Sequence, residues 1–580
     1  MPLTIEPFIS KPKSPWAKKA VARILERILG IHKIIKLYDQ FGLEGLPGED
    51  FLRDALGKLN VNMEGIEEVV NAIPEKGPVV IAANHPFGGL EGMVMIHAII
   101  KKRPDVKALV NRNLSFFPQM CEWSIFTNPL KPNNPKNAAS LRACKEHLAG
   151  GNALLLFPAG RVGYYHKDRK RIADHDWNRL VAKYCSIQGI QYCPVFIHGQ
   201  NSRLFYLLGR IWFKFRLLLL PRELTNKRNT TVSLHAQNSH DLSRTISSRS
   251  GKEGASLCRA LSYIHHPDYL DPWPRTEEMH FKPLAEPVPS DVMFAEADTL
   301  PQSQILYTQG TLTAYFANGT QIPNILKEIA RRREMVFRSM NEGSGETEDT
   351  DKFDNTYTHL FVLDSSNGEI AGAYRMGQTD ILQKYKGQEG LYLSQMFKFG
   401  DDFINQKQPC LEMGRSFLMP EYQRSRFGLY MLWRAIGEFI VRHPQYSTLY
   451  GTVSISNLYD KRSVKLIEEL AITPTDSVSA QASFDYQLHP EVMRHFQQYP
   501  VAIEDSVSYL DSLLAFIEPD KKKLPVLLRQ YASLGAKFHC LGVDKNFADT
   551  PGLLLVVDMR NSSEKQLKKF LGPNYEKIFI

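Results

Sequence analysis

Short apolar runs alternate with amphipathic stretches in two separate parts of the chain. Between about residues 76 and 235, four apolar runs predict strands at 79–83, 107–110, 153–157 and 191–197. Helical spacing of apolar positions predicts helices at 141–149 and 179–186. Strands that alternate with helices in this way are typical of an α/β layer, so the first half is predicted to be an α/β domain.

A second alternation starts near residue 312. It predicts strands at 312–316, 359–363, 369–374, 412–417 and 449–455, and helices at 322–339 and 427–442. Because a chain of 580 residues is long for one domain, two cores are expected. The predicted fold class is therefore α/β with two domains.

The segment between the two alternations has a different composition. Ser and Arg dominate residues 243–250, and a proline cluster follows at Pro267, Pro272, Pro274, Pro283, Pro287 and Pro289. Such segments commonly mark domain boundaries, so we predict a first domain at 1–240, a linker at 241–295 and a second domain at 296–580. Residues 341–354 are acidic and contain glycines, which predicts either a functional loop or a solvated one.

The chain is basic, with 71 Lys and Arg against 62 Asp and Glu and a net charge of +9. That excess suits an anionic partner, such as an acidic carrier protein, an anionic membrane surface or nucleic acid. The sequence contains neither an aromatic RNA-binding signature nor paired Cys/His zinc spacing, so no nucleic-acid partner is predicted. The seven cysteines are scattered and never spaced as CxxC, which favours reduced thiols over disulfides or a metal site.

Membrane contact is predicted at the surface of a bilayer and not across it. The N-terminus lacks a basic region followed by an apolar core, so no signal peptide is expected. No run of about 18 apolar residues predicts a spanning helix. Residues 204–220 combine basic, aromatic and leucine positions, which is typical of an interfacial segment, although an element packed on its own core is an equal alternative. The expected location is peripheral, on the cytoplasmic side of the inner membrane.

The most informative apolar run, at 79–83, ends directly in Asn84 and His85. A Pro/Gly turn follows, and then Glu91 at the start of a helical pattern. A carboxylate can hold an imidazole in one tautomer, and such a pair can take a proton from a hydroxyl during acyl transfer. A lone histidine of this kind is more often a structural core residue, but a second motif, FPAGR at 157–161, follows downstream.

Together the two motifs resemble the first and third motifs of the glycerolipid (lysophospholipid) acyltransferases, usually written NHxxxxD and FPEGTR. Five residues, not four, separate His85 from its carboxylate, which is Glu91 instead of Asp, and Ala159 replaces the Glu of the third motif. The glycines of the turn and the longer Glu side chain can absorb the extra residue. The resemblance implies that His85 and Glu91 are catalytic. It also implies a substrate-binding role for Asn84, Phe157, Pro158, Gly160 and Arg161.

A series of charged residues marks the second half: Arg333, Asp351, Asp354, Arg375, Glu412 and Arg415. Its spacing resembles the acyl-homoserine-lactone synthases and, more closely, the N-acyl amino acid synthases, both of which have a GNAT-like acyltransferase fold. Acidic side chains could bind an ammonium group or accept its proton, so Glu412 is the catalytic candidate. The other five are candidates for substrate binding, since arginines could bind a carboxylate in bidentate fashion. The alternative is an internal network of arginines and carboxylates that joins strands.

The stretch at 420–428 looks like the Q/RxxGxG/A loop of the GNAT fold. There, backbone N–H groups at a helix N-terminus bind the phosphate of the acyl donor. The resemblance gives this role to Arg424, Arg426 and Gly428, with Arg426 in place of the first glycine. That departure favours the single phosphate of an acyl carrier protein thioester over coenzyme A. The expected donor is therefore acyl-acyl carrier protein, and no bound cofactor or metal is expected.

The order of the two halves resembles the bifunctional ornithine lipid synthases. That resemblance implies that the second half N-acylates an amino acid, with ornithine as first candidate, and that the first half O-acylates the 3-hydroxyl of the new acyl chain. Two alternatives are also enzymatic: a glycine or other amino acid lipid synthase, and a lysophospholipid acyltransferase with an accessory GNAT-like half. A third is a membrane-lytic protein, since haemolysin-type names occur in the family. Lysis would need an export signal and an insertion segment, and neither is predicted.

Overall fold

The computed structural model describes residues 23, 26–27, 29–128, 135–270, 281–404, 408–423, 428–501 and 503–579. Its strands are, in chain order, Asn62–Glu64 (β1), Val79–Ala83 (β2), Lys107–Asn111 (β3), Ser124–Thr127 (β4), Ala153–Leu156 (β5), Tyr164–His166 (β6), Arg171–Ala173 (β7), Gln191–His198 (β8), Thr231–His235 (β9), His240–Asp241 (β10), Ile305–Gln309 (β11), Leu312–Asn318 (β12), Thr358–Asp364 (β13), Glu369–Gln378 (β14), Phe397–Phe399 (β15), Cys410–Leu418 (β16), Thr448–Ser454 (β17), Val478–Ala480 (β18), Lys537–Asp544 (β19) and Thr550–Asp558 (β20). Its helices are, in the same order, Ile31–Gln40 (α1), Gly48–Lys58 (α2), Ile66–Ala72 (α3), Leu90–Ile99 (α4), Pro135–Ala149 (α5), Leu180–Cys185 (α6), Arg203–Ile211 (α7), Phe213–Asn226 (α8), Ser243–Ser247 (α9), Gly251–Tyr263 (α10), Ser290–Ala297 (α11), Pro323–Arg338 (α12), Thr379–Lys386 (α13), Pro420–Gln423 (α14), Gly428–Arg442 (α15), Lys461–Ala471 (α16), Pro490–Gln498 (α17), Ile503–Leu514 (α18), Val526–Ser533 (α19) and Glu564–Leu571 (α20).

The strands and helices predicted from the apolar pattern are confirmed, with ends that shift by a few residues. The largest difference is α5, which is described from Pro135 although the pattern indicated a start at 141. Proline is tolerated in the first turn of a helix, because its missing N–H would have no partner there. The polar residues of that turn carry no apolar signal, so the pattern showed only the later turns.

The chain divides into two compact units. The first unit comprises Met1–Leu270, Gln487–Val501 and Asp511–Lys522. The second unit comprises Asp271–Tyr486, Ala502–Leu510 and Lys523–Ile580. Each half of the sequence therefore contributes most of one unit, but the later half also contributes two stretches to the first.

The structure differs from the predicted linker at 241–295, because residues up to Leu270 belong to the first unit. Helix α10 packs on α6 and β8, and its buried positions include Ala255, Cys258 and Leu261. These positions follow helical spacing. In the sequence the Ser/Arg stretch and the prolines outweighed them, so a packed helix was predicted to be a connection.

The first unit is built on an eight-stranded sheet of order β1-β9-β8-β2-β5-β3-β4, with β10 paired to β8. Strand β2 pairs in parallel with both β5 and β8. All five of its residues are buried, as expected for a parallel strand that is covered on both faces. Because parallel strands end at the same edge, the residues that follow β2 and β5 emerge side by side. This edge carries the first candidate site.

Helix α17 belongs to the first unit although it comes late in the chain. It packs against α10, and the side chain of its Glu491 is 1% exposed. The Glu491 carboxylate lies 3.0 Å from the Arg169 guanidinium and 2.9 Å from that of Arg259. A buried carboxylate costs free energy unless it is paired, and here two cations pair it. The late segment is therefore part of the core of this unit.

The second unit has its own eight-stranded sheet, of order β11-β12-β13-β14-β16-β17-β20-β19. Its neighbouring strands are antiparallel except for β16 and β17, which are parallel. The pairing of these two strands ends at Met413 with Gly451. Strand β16 nevertheless continues to Leu418 and β17 to Ser454. The two strands therefore diverge and open a wedge in the sheet, which we call the β16–β17 wedge.

Two long helices cover the sheet of the second unit. Ala373 of β14 belongs to the apolar cluster that includes Ile329 of α12. Its neighbour Gly372 faces Leu432 of α15. Successive residues of a strand point to opposite faces, so α12 and α15 lie on opposite faces of the sheet. Among the helices described, none combines the length and the apolar character that crossing a membrane requires.

Candidate active sites

Glu91 anchors the turn that carries His85. Its Oε1 lies 2.6 Å from Nδ1 of His85 and accepts backbone N–H bonds from Phe87 at 3.0 Å and Gly88 at 2.8 Å. Gly88 has a φ of 121°, and a Cβ at this position would lie 2.7 Å from Cδ2 of Leu220, so glycine is required. The predicted pair of imidazole and carboxylate is formed, and the extra residue of the motif is absorbed in this turn.

The Glu91 carboxylate controls the charge state of the imidazole. Burial opposes protonation of His85, but the charge and hydrogen bond of Glu91 outweigh it, so the pKa of His85 is raised. Burial also disfavours the ionised form of Glu91, but His85 and the Gly88 N–H reverse this, so the pKa of Glu91 is lowered. The ionised Glu91 favours a proton on Nδ1, which leaves Nε2 to accept one from a substrate. The His85 side chain keeps 16% of its surface exposed.

Two further side chains hold the backbone around His85. Asn84 donates to the carbonyl of Ile197 at 2.9 Å and accepts from its N–H at 2.6 Å, which extends the pairing of β2 with β8. Asp174 accepts the backbone N–H of His85 at 3.1 Å and the indole N–H of Trp177 at 3.0 Å. Burial raises the pKa of Asp174. The contacts of Asn84 are structural, and its substrate-binding role stays a prediction.

The FPAGR motif forms a turn after β5, directly beside His85. The ring of Phe157 stacks on the imidazole of His85, with centroids 5.0 Å apart and planes at 29°. Gly160 has a φ of 64° and donates its N–H to the Phe157 carbonyl at 3.0 Å, which tightens the turn. Pro158 is buried within it, and Arg161 is exposed at its end. The structure thus brings both motifs to one edge, while the substrate-binding roles stay predictions.

In the second unit, the charged series forms a buried network. Arg333 lies 2.7 Å from Asp349 and 3.1 Å from Asp354. Arg375 lies 2.6 Å from Asp351 and 3.0 Å from Asp354. Burial alone would raise the pKa of Asp354, but the two guanidinium groups hold it well below its usual range.

This network bears on the acidic segment 341–354. Asp349 and Asp354 are buried, with Arg333 and Arg375 almost fully enclosed against them. These carboxylates are therefore not part of a solvated loop. The internal network that the sequence left as an alternative is present, and the substrate-binding roles of Arg333, Asp351 and Asp354 stay predictions.

Arg415 stands at the edge of the network. Its φ is 48°, in a region that is uncommon for a non-glycine residue, and it lies opposite the register shift between Ala373 and Arg375 of β14. Its guanidinium lies 3.5 Å from Asp349 and donates to the hydroxyl of Tyr392 at 3.0 Å. Backbone strain of this kind clusters at functional sites. Arg375 and Arg415 both line the cavity of the wedge.

The β16–β17 wedge contains a cavity of about 80 Å³ with Glu412 in its wall. The Glu412 carboxylate accepts a hydrogen bond from the hydroxyl of Tyr357 at 2.9 Å and one from the N–H of Leu393 at 3.1 Å. Burial raises the pKa of Glu412 to about 7. A carboxyl group with this pKa can exchange a proton with a substrate at neutral pH. The structure therefore places the predicted catalytic carboxylate in a cavity with suitable acidity.

The predicted donor loop is described only at its end. Gly428 is the first described residue of α15, and a Cβ there would lie 2.2 Å from the carbonyl oxygen of Tyr422, so glycine is required by close packing. Arg424 and Arg426 lie outside the described residues. The binding of a phosphopantetheine phosphate by these three residues stays a prediction.

Several residues of both sites were missed by sequence reasoning: Asp174, Asp349, Tyr357, Tyr392 and Asp544. Their partners are distant in the chain, as in the hydrogen bond from the Tyr392 hydroxyl to Asp544, across 152 residues. No short motif surrounds these positions. Only the acidic run around Asp349 gave a signal, and it did not indicate which arginine each carboxylate meets.

Comparison with known families gives two matches, one in each half of the chain. Residues 20–265 match an acyltransferase family, and residues 332–434 match the acetyltransferase (GNAT) domain. The chain is a mixed α/β protein with an N-terminal acyltransferase domain and a C-terminal GNAT domain. It is an acyltransferase enzyme.

Individual relatives carry more specific names than these two families. The chain is similar to a glycine N(alpha)-acyltransferase of Bacteroides thetaiotaomicron, with 27% identity over 301 residues, 47% of this chain and 86% of that protein. It matches the protein of the same name from Phocaeicola vulgatus with 33% identity over 156 residues, 25% of this chain and 48% of the relative, about half of its length. It is also similar to a lyso-glycine lipid O-acyltransferase of Phocaeicola vulgatus, with 25% identity over 196 residues, 32% of this chain and 67% of that protein.

Proposed function

We propose that the chain makes a diacylated amino acid lipid in two steps. The second unit transfers a 3-hydroxyacyl group from an acyl carrier protein thioester to the α-amine of an amino acid. The first unit then transfers a second acyl group to the 3-hydroxyl. Glycine replaces ornithine as the first candidate, because both kinds of relative are named for glycine.

One observation carries the proposal. This single chain matches both a glycine N(alpha)-acyltransferase and a lyso-glycine lipid O-acyltransferase, from each of two organisms. In those organisms the two names belong to separate proteins, whereas here two acyltransferase domains lie in one chain. An N-acylation that delivers a 3-hydroxyacyl group produces the hydroxyl that an O-acylation consumes, so the two reactions form a sequence.

At the first site, Nε2 of His85 takes the proton of the 3-hydroxyl while the hydroxyl oxygen attacks the thioester carbonyl. The ester C–O bond forms, the C–S bond breaks, and the departing thiolate receives the proton from His85. Glu91, at 2.6 Å from Nδ1, holds the ring and stabilises its protonated form. Asp174 holds the backbone N–H of His85, so the ring keeps its position at the sheet edge.

At the second site, Glu412 accepts a proton from the ammonium group of the amino acid, and the neutral amine attacks the thioester. The amide C–N bond forms and the C–S bond breaks, and the second proton that the amine nitrogen loses goes to the departing thiolate. Arg415 is the proposed contact for the amino acid carboxylate. The small cavity and its aromatic wall, which includes Tyr357 and Tyr392, favour an amino acid without a side chain.

Expression in a bacterium that lacks amino acid lipids tests the proposed function. Mass spectrometry of lipid extracts should find a diacylated glycine lipid and some of its mono-acylated precursor. Ornithine lipid in its place would restore ornithine as the acceptor. Remodelled phospholipid without any amino acid lipid would favour the lysophospholipid acyltransferase alternative, and leakage of the host cells without a new lipid would favour lysis. A chain with both His85→Ala and Glu412→Gln is the matched control.

The proposed donor predicts a strong salt effect. Acyl carrier protein is acidic and this chain has a net charge of +9, so attraction should speed their encounter. Raising ionic strength from about 0.1 to about 1 M shortens the Debye length from about 10 to about 3 Å. The second-order rate constant with acyl-acyl carrier protein should therefore fall about tenfold or more. Acyl-pantetheine, a neutral donor, is the control and should show little change. Equal activity with acyl-coenzyme A and no salt effect would contradict the carrier-protein donor.

We also propose that helices α7 and α8 attach the chain to the cytoplasmic face of the inner membrane. Residues 204–220 divide into these two helices at Trp212. Several large apolar side chains are exposed there: Leu204, Leu207, Ile211, Trp212, Leu217 and Leu218. Arg210 is exposed among them, whereas Arg216 is half-buried against Tyr164 and is not a surface cation. Exposed apolar side chains beside cations suit an anionic bilayer surface.

Vesicle sedimentation tests this attachment. The double variant Leu207→Ser and Ile211→Ser should reduce binding to anionic vesicles about tenfold or more, because the two side chains would lose their burial in the lipid. Both are exposed, at 56% and 72%, so folding should not change. Ile187→Ser, at an exposed position outside these helices, is the control. Binding unchanged in the double variant would remove α7 and α8 from the membrane model.

A further inference from the structure

We infer that Arg216 binds the carboxylate of the mono-acylated amino acid while the hydroxyl of that substrate is acylated at His85. The inference rests on the proposed function, because it identifies the group by which the first site recognises its acceptor. Arg216 lies in the segment that the sequence suggested for membrane contact, and it belongs to neither acyltransferase motif. This contact would make the first site selective for acceptors that carry an anionic group.

Helix α8 places Arg216 close to the catalytic turn. Arg216 precedes Leu220 by one helical turn, so both lie on the same face of the helix. Leu220 packs on Gly88, where even a Cβ would lie 2.7 Å from its Cδ2. Gly88 is the residue whose N–H binds Glu91. Arg216 therefore lies on the face of α8 that packs on the turn between His85 and Glu91.

Arg216 also contacts β6, the strand that follows the FPAGR motif and lies next to the His85 turn. Its guanidinium carbon lies 4.8 Å from the ring centroid of Tyr164, the first residue of β6. The preceding residue, Gly163, donates its N–H to the carbonyl of His85 at 2.9 Å. The FPAGR turn, with Arg161 at its end, leads directly into this strand. Arg216 thus lies on a helix that packs on the His85 turn, and it contacts a strand whose preceding residue is hydrogen-bonded to that turn.

The positive charge of Arg216 is not balanced within the part of the chain that the structure describes. Its Nη1 is buried and has no hydrogen-bond partner there, and no carboxylate lies within ion-pair distance. Burial and then the like charge of Arg161 lower the pKa of Arg216. His175 stacks on Tyr164 at 4.2 Å, but burial and then the two arginines lower its pKa to about 4, so it is neutral and adds no charge of either sign.

A half-buried guanidinium group with a buried, unpartnered nitrogen is suited to an oxyanion. In an N-(3-hydroxyacyl) amino acid, the hydroxyl and the carboxylate are only a few bonds apart. One such molecule can therefore place its hydroxyl at Nε2 of His85 and its carboxylate at Arg216. The phosphate of a lysophospholipid has related chemistry, so the experiment must separate the two anions.

The test uses the purified full-length chain with short-chain, water-soluble acceptors, so that membrane binding plays no part. The acceptors are N-(3-hydroxyhexanoyl)glycine, its methyl ester and a short-chain lysophosphatidate. Arg216→Gln should lower kcat/KM for the free acid by about 10- to 100-fold, mainly through KM, because a charge-assisted hydrogen bond is lost. Activity with the methyl ester should stay the same, and Arg216→Lys should recover part of the loss. Arg210→Gln is the matched control, since Arg210 lies 5.4 Å from the ring of the neighbouring Tyr165 but is exposed.

Three results would overturn the inference. The first is equal use of acid and ester by the unaltered chain, the second is an equal loss of activity with both in Arg216→Gln, and the third is a preference for lysophosphatidate with the same dependence on Arg216. If the unaltered chain O-acylated no N-acyl amino acid, the proposed function itself would fail. Calorimetry would then decide the inference separately: N-(3-hydroxyhexanoyl)glycine should bind the unaltered chain more tightly than Arg216→Gln, and equal binding would refute it.

Discussion

His85→Ala should stop the second acylation while the first continues. Removing the general base should lower the rate of O-acylation by about 10²- to 10⁴-fold, because the hydroxyl would have to lose its proton without help. Cells that express this variant should accumulate the mono-acylated amino acid, as measured by mass spectrometry of lipid extracts. His97→Ala, which removes a different histidine, one in helix α4, is the matched control. Loss of both products in a variant with an unchanged melting temperature would contradict the division of labour between the units.

Glu91→Gln separates the charge of the carboxylate from its hydrogen bond. Gln can still bind the ring, so the loss of rate should be smaller than for His85→Ala. His85 acts as a base only when it is neutral, so O-acylation should fail as the pH drops through its pKa. Because Glu91 raises that pKa, the failure in Glu91→Gln should move to lower pH. If O-acylation failed at the same pH in the unaltered chain and in Glu91→Gln, the pair of His85 and Glu91 would not control the reaction.

Glu412→Gln should remove the first acylation and, with it, both lipid products in cells. The substitution keeps an acceptor for the Tyr357 hydroxyl and the Leu393 N–H, so the fold should persist. N-acylation in vitro should fall about 10²- to 10⁴-fold, since a general base is lost. O-acylation of a supplied mono-acylated acceptor should continue at the normal rate. Loss of O-acylation as well would indicate a structural role for Glu412.

The pH dependence of N-acylation tests the same carboxylate in the unaltered chain. Glu412 must be ionised to accept a proton, and its pKa is raised to about 7, so the rate should rise with pH through about 7. Glu342 is a rival, because burial also raises its pKa to about 7 and it accepts a hydrogen bond from Ser454 in the wall of the wedge. Glu342→Gln should keep the rise of the N-acylation rate with pH through about 7. If the rise of the N-acylation rate with pH disappeared in Glu342→Gln and persisted in Glu412→Gln, Glu342 would be the base.

The first site could be predicted from sequence because its parts are local. Strand β2 is a continuous apolar run, and His85 follows it within two residues. The third motif follows another buried run, β5, and parallel pairing brings the two together. Each of these features depends on neighbours in the chain, which is where hydrophobic patterning and turn chemistry are informative.

The partners of the second site could not be predicted in the same way. The sequence identified Arg333, Arg375 and Asp354 as a charged series but not which residues pair, because ion pairs are chosen by tertiary packing. The same limit applies to Asp174, which meets His85 across 89 residues. It applies also to Arg216, whose spacing with aromatic residues suggested a surface. Only the fold shows that its guanidinium lies against Tyr164.

The position of Glu491 has a consequence for the order in which the protein matures on the ribosome. Arg169 and Arg259 are synthesised early, but their carboxylate arrives only after the polypeptide for most of the second unit has emerged. Arg259 also donates to the backbone carbonyl of Asp174, the residue that holds His85. The nascent first unit therefore lacks the carboxylate that pairs with both arginines until α17 is translated. Co-translational folding of the O-acyltransferase should finish late, and a gene split at a single point between the two domains would separate that enzyme from part of its own core.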